Sequence, residues 1–227
     1  MPLITQPLPG TVYDPLYPDE DGRPLGDTDF HTIALVWLRQ ALEDCFAAVL
    51  DVYVASNLIY YYERGDPSAR RDPDVLVAKG VAGKHPRRSY RLWEEGVRPC
   101  TLFEIASRKT WRQDLGEKRA LYAHLRVPEY FLFDPEGRYL DPVLQGFRSR
   151  RGVSVPMKPN ADGSLTSRQL GLRLMPEGAM LRLIDLRTGQ PVLTRGEKAE
   201  QEKQRAEQLA AEVERLRAEL ERRGPRG

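Results

Sequence analysis

Three short apolar segments, at 74–78, 101–106 and 129–133, constrain the fold of this chain most strongly. Each has the length and the branched or aromatic content of a β-strand. A helix predicted at 113–125 separates the last two segments, and an earlier helix, 28–47, with Thr28 or Asp29 as its N-cap, precedes them. This alternation of helices and strands predicts an α/β fold.

Composition narrows the class of protein. The chain has 227 residues, of which 41% are hydrophobic and 30% charged, so collagen-like, fully disordered and multi-span membrane proteins are excluded. A net charge of +2 gives no general signal for nucleic-acid binding but leaves room for a local basic face. Cys45 and Cys100 form no CxxC motif, and no secretion signal or membrane span is evident, which predicts a cytoplasmic protein.

The chain divides into three predicted regions. Six prolines within residues 1–27 predict an extended arm. Residues 28–195 form the main domain, in which the Gly and Pro breaks of 138–194 predict β-hairpins appended to the core. Residues 196–227 form a charged helix with a short heptad seam, which favours a coiled coil and a homodimer; the seam consists of Ala206, Leu209, Val213, Leu216 and Leu220.

A lysine lies on the apolar face of the predicted helix 113–125. Lys118 shares that face with apolar and aromatic side chains at helical spacing, namely Trp111, Leu115, Tyr122 and Leu125. An ammonium group is almost never fully buried without a partner. The spacing therefore predicts that Lys118 faces the core and pairs with a carboxylate there, unless it extends to solvent past its neighbours.

Two carboxylates belong to the predicted strands. Glu104 lies inside the apolar segment 101–106, and Asp74 follows Pro73 at the start of 74–78. Two converging carboxylates can bind a hard divalent ion such as Mg²⁺. Structural explanations remain open for each residue: Asp74 as a turn residue, and Lys118 as the partner of Asp114 in an ordinary i,i+4 helix pair.

The order of these residues resembles that of the PD-(D/E)XK nuclease superfamily, and more narrowly the Uma-type restriction endonuclease family. The resemblance covers about residues 20–190 and rests on four motifs: PDVLV at 73–77, FEIAS at 103–107, DLGEK at 114–118 and VPEY at 127–130. It implies a restriction-endonuclease-like core, with a mixed central sheet flanked by helices.

The resemblance also implies Mg²⁺-dependent hydrolysis of DNA phosphodiester bonds, with Mn²⁺ as a substitute metal. Asp74, Glu104 and the backbone carbonyl of Ile105 are the implied metal ligands. The superfamily has a lysine two residues after the acidic strand residue, but this chain has Ala106 there. Lys118 is the implied replacement, and Lys109 is its rival.

Several basic residues near the motifs are candidates for phosphate binding. They are Arg87, Arg88, Arg108, Lys109 and Arg112, and a solvated surface is the competing interpretation. The leading hypothesis is thus a cytoplasmic endonuclease acting on double-stranded DNA as a homodimer. The alternatives are a catalytically inactive module that binds nucleic acid or protein, and a scaffold for oligomerisation through the C-terminal helix.

Overall fold

Thr28 caps the first helix, as predicted, because its side-chain oxygen accepts a hydrogen bond from the backbone N–H of His31. In this computed structural model, which describes residues 9–10, 14–18 and 28–223, helix α1 spans Asp29–Cys45. The predicted helix 28–47 is therefore confirmed to within two residues at each end.

Short strands and helical segments follow α1. Their bounds are β1 Val52–Ser56, β2 Tyr60–Tyr61, β3 Arg70–Arg71, β4 Val75–Lys79, β5 Tyr90–Arg91, α2 Leu92–Glu95, β6 Thr101–Ile105, α3 Trp111–Gln113, a π-helical turn Asp114–Lys118, α4 Arg119–His124, β7 Glu129–Phe133, β8 Leu144–Arg150, β9 Val153–Pro156, β10 Leu165–Ser167, β11 Leu172–Glu177, β12 Met180–Asp185 and α5 Arg195–Arg223.

A six-stranded sheet with the order β1-β4-β6-β7-β8-β9 forms the centre of the fold. Its neighbouring strands are antiparallel except for β6 and β7, which are parallel. Parallel neighbours need a crossover connection, and the helical segment 111–124 supplies it. The predicted α/β class, with a mixed central sheet and the order helix, strands, helix, strand, is confirmed.

The pleat of the sheet separates two buried layers. On one face, Val75, Phe103 and Phe131 pack with α1 and with the antiparallel sheet β10-β11-β12. On the other face, Leu76 and Leu102 pack with the segment 111–124 and with residues of the small sheet β3-β2-β5. Because side chains alternate along a strand, every even-numbered residue of β4 and β6 faces the second layer.

The segment 51–62, which is rich in β-branched and aromatic residues, is divided between two strands. Strand β1 ends at Ser56, and Asn57 adopts a positive φ of 49° before β2 begins at Tyr60. A non-glycine residue with such a φ breaks a strand. The hairpins predicted within 138–194 are present as β8-β9 and as the meander β10-β11-β12.

Most of the predicted arm 1–27 lies outside the described residues. Of its described residues, Tyr17 is buried and its ring packs against Tyr61 and Trp93. The backbone N–H of Gly10 donates to the Glu94 carboxylate over 2.9 Å. These described residues therefore contact the body of the domain.

The chain forms two compact units, Met1–Val192 and Leu193–Gly227. The second unit contains α5, and four apolar residues of its predicted seam are exposed: Leu209, Val213, Leu216 and Leu220. The part of the chain that the structure describes has no helix that is long and apolar enough to span a bilayer.

Candidate functional site

Asp74 directly precedes β4, and Glu104 belongs to the neighbouring antiparallel strand β6. Strands β4 and β6 pair Val75 with Phe103 and Leu76 with Leu102, and continuing this register by one residue would set Asp74 opposite Glu104. Directly opposed side chains in an antiparallel pair lie on the same face, with Cβ atoms about 5 Å apart. Strand pairing thus brings the two predicted carboxylates together at one end of β4.

Asp74 is held by a backbone donor. Its Oδ2 atom accepts a hydrogen bond of 2.6 Å from the N–H of Ile105, the last residue of β6. The same oxygen lies 3.4 Å from Nε2 of His31 on α1. The carboxylate is only 16% exposed, so these contacts fix it beside the peptide of Ile105.

Glu104 lies deeper, where its side chain is only 2% exposed. Its Oε2 atom lies 3.0 Å from Nζ of Lys118, and its Oε1 atom accepts a hydrogen bond of 3.2 Å from the hydroxyl of Tyr122. Both partners belong to the helical segment 111–124. The predicted pairing of an inward-facing lysine with a strand carboxylate is therefore present in the structure.

A π-helical turn shapes this segment. The turn spans Asp114–Lys118, and π-turns inside helices are rare and often mark functional sites. Asp114 is fully buried, with Oδ1 3.0 Å from Nζ of Lys118, while Tyr130 donates to the Asp114 carbonyl over 3.0 Å. Lys118 therefore makes both the helix pair with Asp114 and the longer-range pair with Glu104, which the sequence left as alternatives.

The three carboxylates outnumber the one ammonium group. Burial raises the pKa of Glu104 well above its ordinary value; Lys118 opposes this shift, and the charges of Asp74 and Asp114 add to it. Burial likewise raises the pKa of Asp114, against the effect of Lys118. Burial alone would lower the pKa of Lys118, but the carboxylates, led by Glu104 and Asp114, raise it overall, so the side chain stays an ammonium ion.

This donor set fits a hard divalent cation that keeps several water ligands. Asp74 and Glu104 offer carboxylate oxygens from adjacent strands, and a cation beside them would neutralise their excess negative charge. Within residues 9–10, 14–18 and 28–223, no group of three or more His, Cys, Asp or Glu side chains is arranged to hold a metal. Carboxylate oxygens are ligands that hard divalent cations take in proteins.

A cleft of about 330 Å³ opens beside Lys118. Its wall combines the helical segment 111–124 and the residues around β3, and it carries three cationic side chains and one carboxylate. The lining residues are Ile59, Ser68, Arg70, Arg71, Asp72, Thr110, Gln113 and Lys118. Lys118 thus connects the buried carboxylates with a space that a substrate can enter.

Arg87 is placed differently from the phosphate-binding role expected of it. Its guanidinium pairs with Glu95, with 2.5 Å between Nε and Oε1, and both side chains are completely buried. The same guanidinium also donates to two backbone carbonyls and lies over the ring of Tyr53. Contact with a phosphate would require breaking this set, so the structure gives Arg87 a role in packing the loop before β5.

The other predicted basic residues lie at the surface. Arg88, Arg108, Lys109 and Arg112 are all exposed. Arg108 and Lys109 belong to the loop between β6 and the helical segment, whereas Lys118 lies within that segment and its Nζ atom is 3.0 Å from Oε2 of Glu104. Of the two lysines proposed for the site, Lys118 is the one that the structure brings to the carboxylates.

Four residues of the site and its cleft were not selected from the sequence. Asp114 was assigned only to an ordinary i,i+4 helix pair, and His31, Arg70 and Arg71 were not assigned to any site. For the two arginines, the signal in the sequence that could have identified them is their position shortly before Pro73 and Asp74.

The fold and the site together define a mixed α/β protein with a buried carboxylate–lysine centre beside a basic cleft. A comparison with protein families finds a match to the Uma2 family, described as "Putative restriction endonuclease", over residues 22–175. Because the match covers more than half of the chain, this protein belongs to the Uma2 family, which confirms the resemblance seen in its motifs.

Comparison with solved structures finds a protein from Anabaena variabilis ATCC 29413 that is described as a putative nuclease belonging to DUF820. The two share 13% sequence identity and a TM-score of 0.47, over 63% of this chain and 75% of that one. No curated protein matches the chain.

Proposed function

We propose that this chain is a Mg²⁺-dependent endonuclease that hydrolyses phosphodiester bonds of double-stranded DNA. The carrying observation is that Lys118 binds Glu104 within the core and also lines the cleft. Membership of a family described as restriction endonucleases supports the choice of a phosphodiester as substrate.

In this proposal Asp74, Glu104 and the backbone carbonyl of Ile105 hold the metal. The N–H of Ile105 donates to Asp74, which keeps this peptide beside the two carboxylates. When bound, Mg²⁺ would polarise a phosphate oxygen and make a bound water more acidic. Mn²⁺, which favours the same oxygen ligands, is expected to substitute.

Lys118 is proposed to act as a hydrogen-bond donor. Its ammonium group is held between Glu104 and Asp114, so it is oriented before substrate binds. From there it can orient the attacking water and neutralise charge that develops on the phosphate. The water oxygen bonds to phosphorus as the bond to the leaving oxygen breaks. One water proton passes to the leaving oxygen and the other to solvent, giving a phosphomonoester and a hydroxyl.

Two further parts of the proposal concern assembly and location. A homodimer joined through α5 would place two sites on opposite strands of a duplex, as a double-strand cutter needs. A cytoplasmic location is consistent with Cys45 and Cys100, which form no disulfide bond among the residues that the structure describes.

The rival function is binding without cleavage. It is favoured by Ala106, which occupies the position of the superfamily lysine and is itself buried. Such a module would bind nucleic acid with strong salt dependence and would not turn it over.

Cleavage of supercoiled plasmid in Mg²⁺, Mn²⁺ or EDTA tests the proposal. We expect nicking only with metal, loss of nicking in Asp74→Ala, and a decrease of about 10²–10³-fold in Lys118→Ala, the usual effect of removing one preorganised donor. Lys158→Ala, at an exposed lysine outside the site, is the matched control and is expected to cleave as wild type.

Three outcomes would contradict these assignments. Metal-dependent cleavage that survives in Asp74→Ala would remove the carboxylate from the site. Loss of cleavage in Lys109→Ala with full activity in Lys118→Ala would assign the lysine role to Lys109. Binding of plasmid without cleavage by the wild type would favour the non-catalytic module.

A further inference from the structure

The arginines of β3 belong to the same cleft as Lys118 although no motif includes them. Arg70 and Arg71 form β3, which pairs with β2 so that Tyr61 faces Arg70 and Tyr60 faces Arg71. Both arginines line the cleft of about 330 Å³ together with Lys118. Two residues, Asp72 and Pro73, separate the strand from Asp74, so the cleft and the carboxylate share one short piece of backbone.

Arg71 is held by a contact that a ligand can replace. One terminal nitrogen, Nη2, pairs with the carboxylate of Glu117, whose side chain is 59% exposed at the surface of the π-helical turn. The other, Nη1, donates to the carbonyl of Arg70 over 2.7 Å, and Nε is buried without a hydrogen-bond partner. Because Nε is enclosed by protein, a ligand would reach this guanidinium through Nη2, by displacing the exposed Glu117.

Arg70 is oriented by a tyrosine. Its Nη1 atom donates to the Tyr61 hydroxyl over 3.2 Å, and that hydroxyl donates to the carbonyl of Pro18 over 2.7 Å. Tyr61 itself is fully buried, which fixes its hydroxyl. Arg70 thus has a defined direction while part of its guanidinium remains available to the cleft.

The two guanidinium groups of the cleft indicate the chemistry of its ligand. Arg70 and Arg71 line the cleft beside Lys118, whose charge is already offset by Glu104 and Asp114. A guanidinium presents two parallel donors that match the oxygens of a phosphate. The exposed Glu117 occupies one such donor of Arg71.

From these contacts we propose that Arg70 and Arg71 form a phosphate clamp for the nucleic-acid strand, and that Glu117 competes with the strand for Arg71. The clamp binds a phosphate neighbouring the one that reacts beside Lys118. The inference rests on the proposed function for the identity of its ligand, and it adds a binding element to that site.

If Glu117 competes with the duplex for Arg71, substituting the two residues should change duplex affinity in opposite directions. Arg71→Ala removes a phosphate contact and is expected to weaken binding of a fluorescein-labelled 20-base-pair duplex about tenfold at low salt, with a shallower dependence on salt. Glu117→Gln removes the competitor and is expected to tighten binding severalfold. Binding is measured by fluorescence anisotropy in EDTA, which excludes turnover.

The controls separate the clamp from fold and from total charge. Arg187→Ala removes an equal charge at a side chain that is 84% exposed and lies outside the cleft, and it is expected to bind as wild type. Arg71→Lys keeps the positive charge but lacks the two parallel N–H donors of a guanidinium, so an affinity between those of wild type and Arg71→Ala is expected. Thermal unfolding of each variant shows whether it is folded. If Arg71→Ala does not fold, Glu117→Gln still tests the proposal.

Two results would overturn the clamp. Weaker binding in Glu117→Gln, parallel to that in Arg71→Ala, would show that the ion pair only supports the fold. An Arg71→Ala affinity equal to that of Arg187→Ala would remove Arg71 from the interface. Failure of the nuclease proposal alone would give a different result. The wild type would not cleave plasmid, but Arg71→Ala would still weaken duplex binding and Glu117→Gln would still tighten it.

Discussion

Glu104 is the more deeply buried of the two carboxylates proposed as metal ligands. Its two oxygens contact Lys118 and the Tyr122 hydroxyl. Burial of a carboxylate costs free energy that one ammonium shared with Asp114 offsets only in part. An ionised Glu104 is therefore expected to destabilise the fold, and the proposed metal would offset its charge.

The pH dependence of stability tests this interpretation in EDTA. Because the pKa of Glu104 is raised on folding, the folded chain binds this proton more readily than the unfolded chain. Its contribution to stability is fully present below about pH 4.3, the ordinary value for glutamate, and is lost as the pH rises toward the higher folded value.

Glutamine does not titrate, so the thermal midpoint of Glu104→Gln minus that of wild type is expected to increase with pH, by about 2–4 °C for each kcal/mol. Glu63→Gln, at an exposed glutamate, is the control and should show no such trend. A difference that stays constant between about pH 4 and 8 would contradict the raised pKa of Glu104.

At the scale of elements, the helical segment 111–124 does two things. It provides the crossover between the parallel strands β6 and β7, and its π-helical turn directs Asp114 and Lys118 inward. Gly116, at the centre of that turn, is exposed, and a Cβ atom added there would meet no other atom within 4 Å. The turn therefore does not depend on the absence of a side chain at this position.

Substitution of two glycines by alanine is expected to have opposite effects on the free energy of unfolding. Gly116→Ala should increase it by about 0.5 kcal/mol, because alanine loses less backbone entropy in a helical conformation. Gly146→Ala should lower it by about 1–3 kcal/mol, because the new Cβ would lie 2.7 Å from Leu165 and 3.0 Å from Phe131. Urea unfolding measures both, and a marked loss of stability in Gly116→Ala would show that the π-turn requires glycine.

At the scale of the whole molecule, the apolar seam of α5 is exposed. Leu209, Val213, Leu216 and Leu220 are between 45% and 69% exposed, at the alternating spacing of a coiled coil. Charged residues dominate the remainder of the helix. A second copy of α5 would bury the seam and keep the charges in water.

Placing charge in the seam is expected to abolish the proposed dimer. Leu209→Glu combined with Leu216→Glu should halve the molar mass measured by light scattering, because each added carboxylate would be buried next to an apolar neighbour. Gln208→Glu combined with Ala218→Glu adds the same negative charge away from the seam and should leave the mass unchanged. A wild-type chain that is already monomeric would remove α5 from the assembly.

What the sequence determined by itself rests on local periodicity. Helical spacing placed Lys118 on the core side, segment length with branched or aromatic content identified the strands at 74–78 and 101–106, and the heptads of 206–220 predicted α5. These inferences need only neighbours within a few residues, and both the motifs and the family match support them. Asp134, directly after β7 and before Pro135, is a turn residue of the same local kind, and its side chain accepts four backbone N–H bonds.

Tertiary structure decided which distant groups meet. The antiparallel register sets Asp74 opposite Glu104, and packing of α1 adds His31 beside Asp74. The partner of Arg87 is Glu95, eight residues away across a loop, and that of Arg71 is Glu117 on another element. No local pattern encodes such pairs, because the free energy of a charged contact depends on the burial and partners that the completed fold provides.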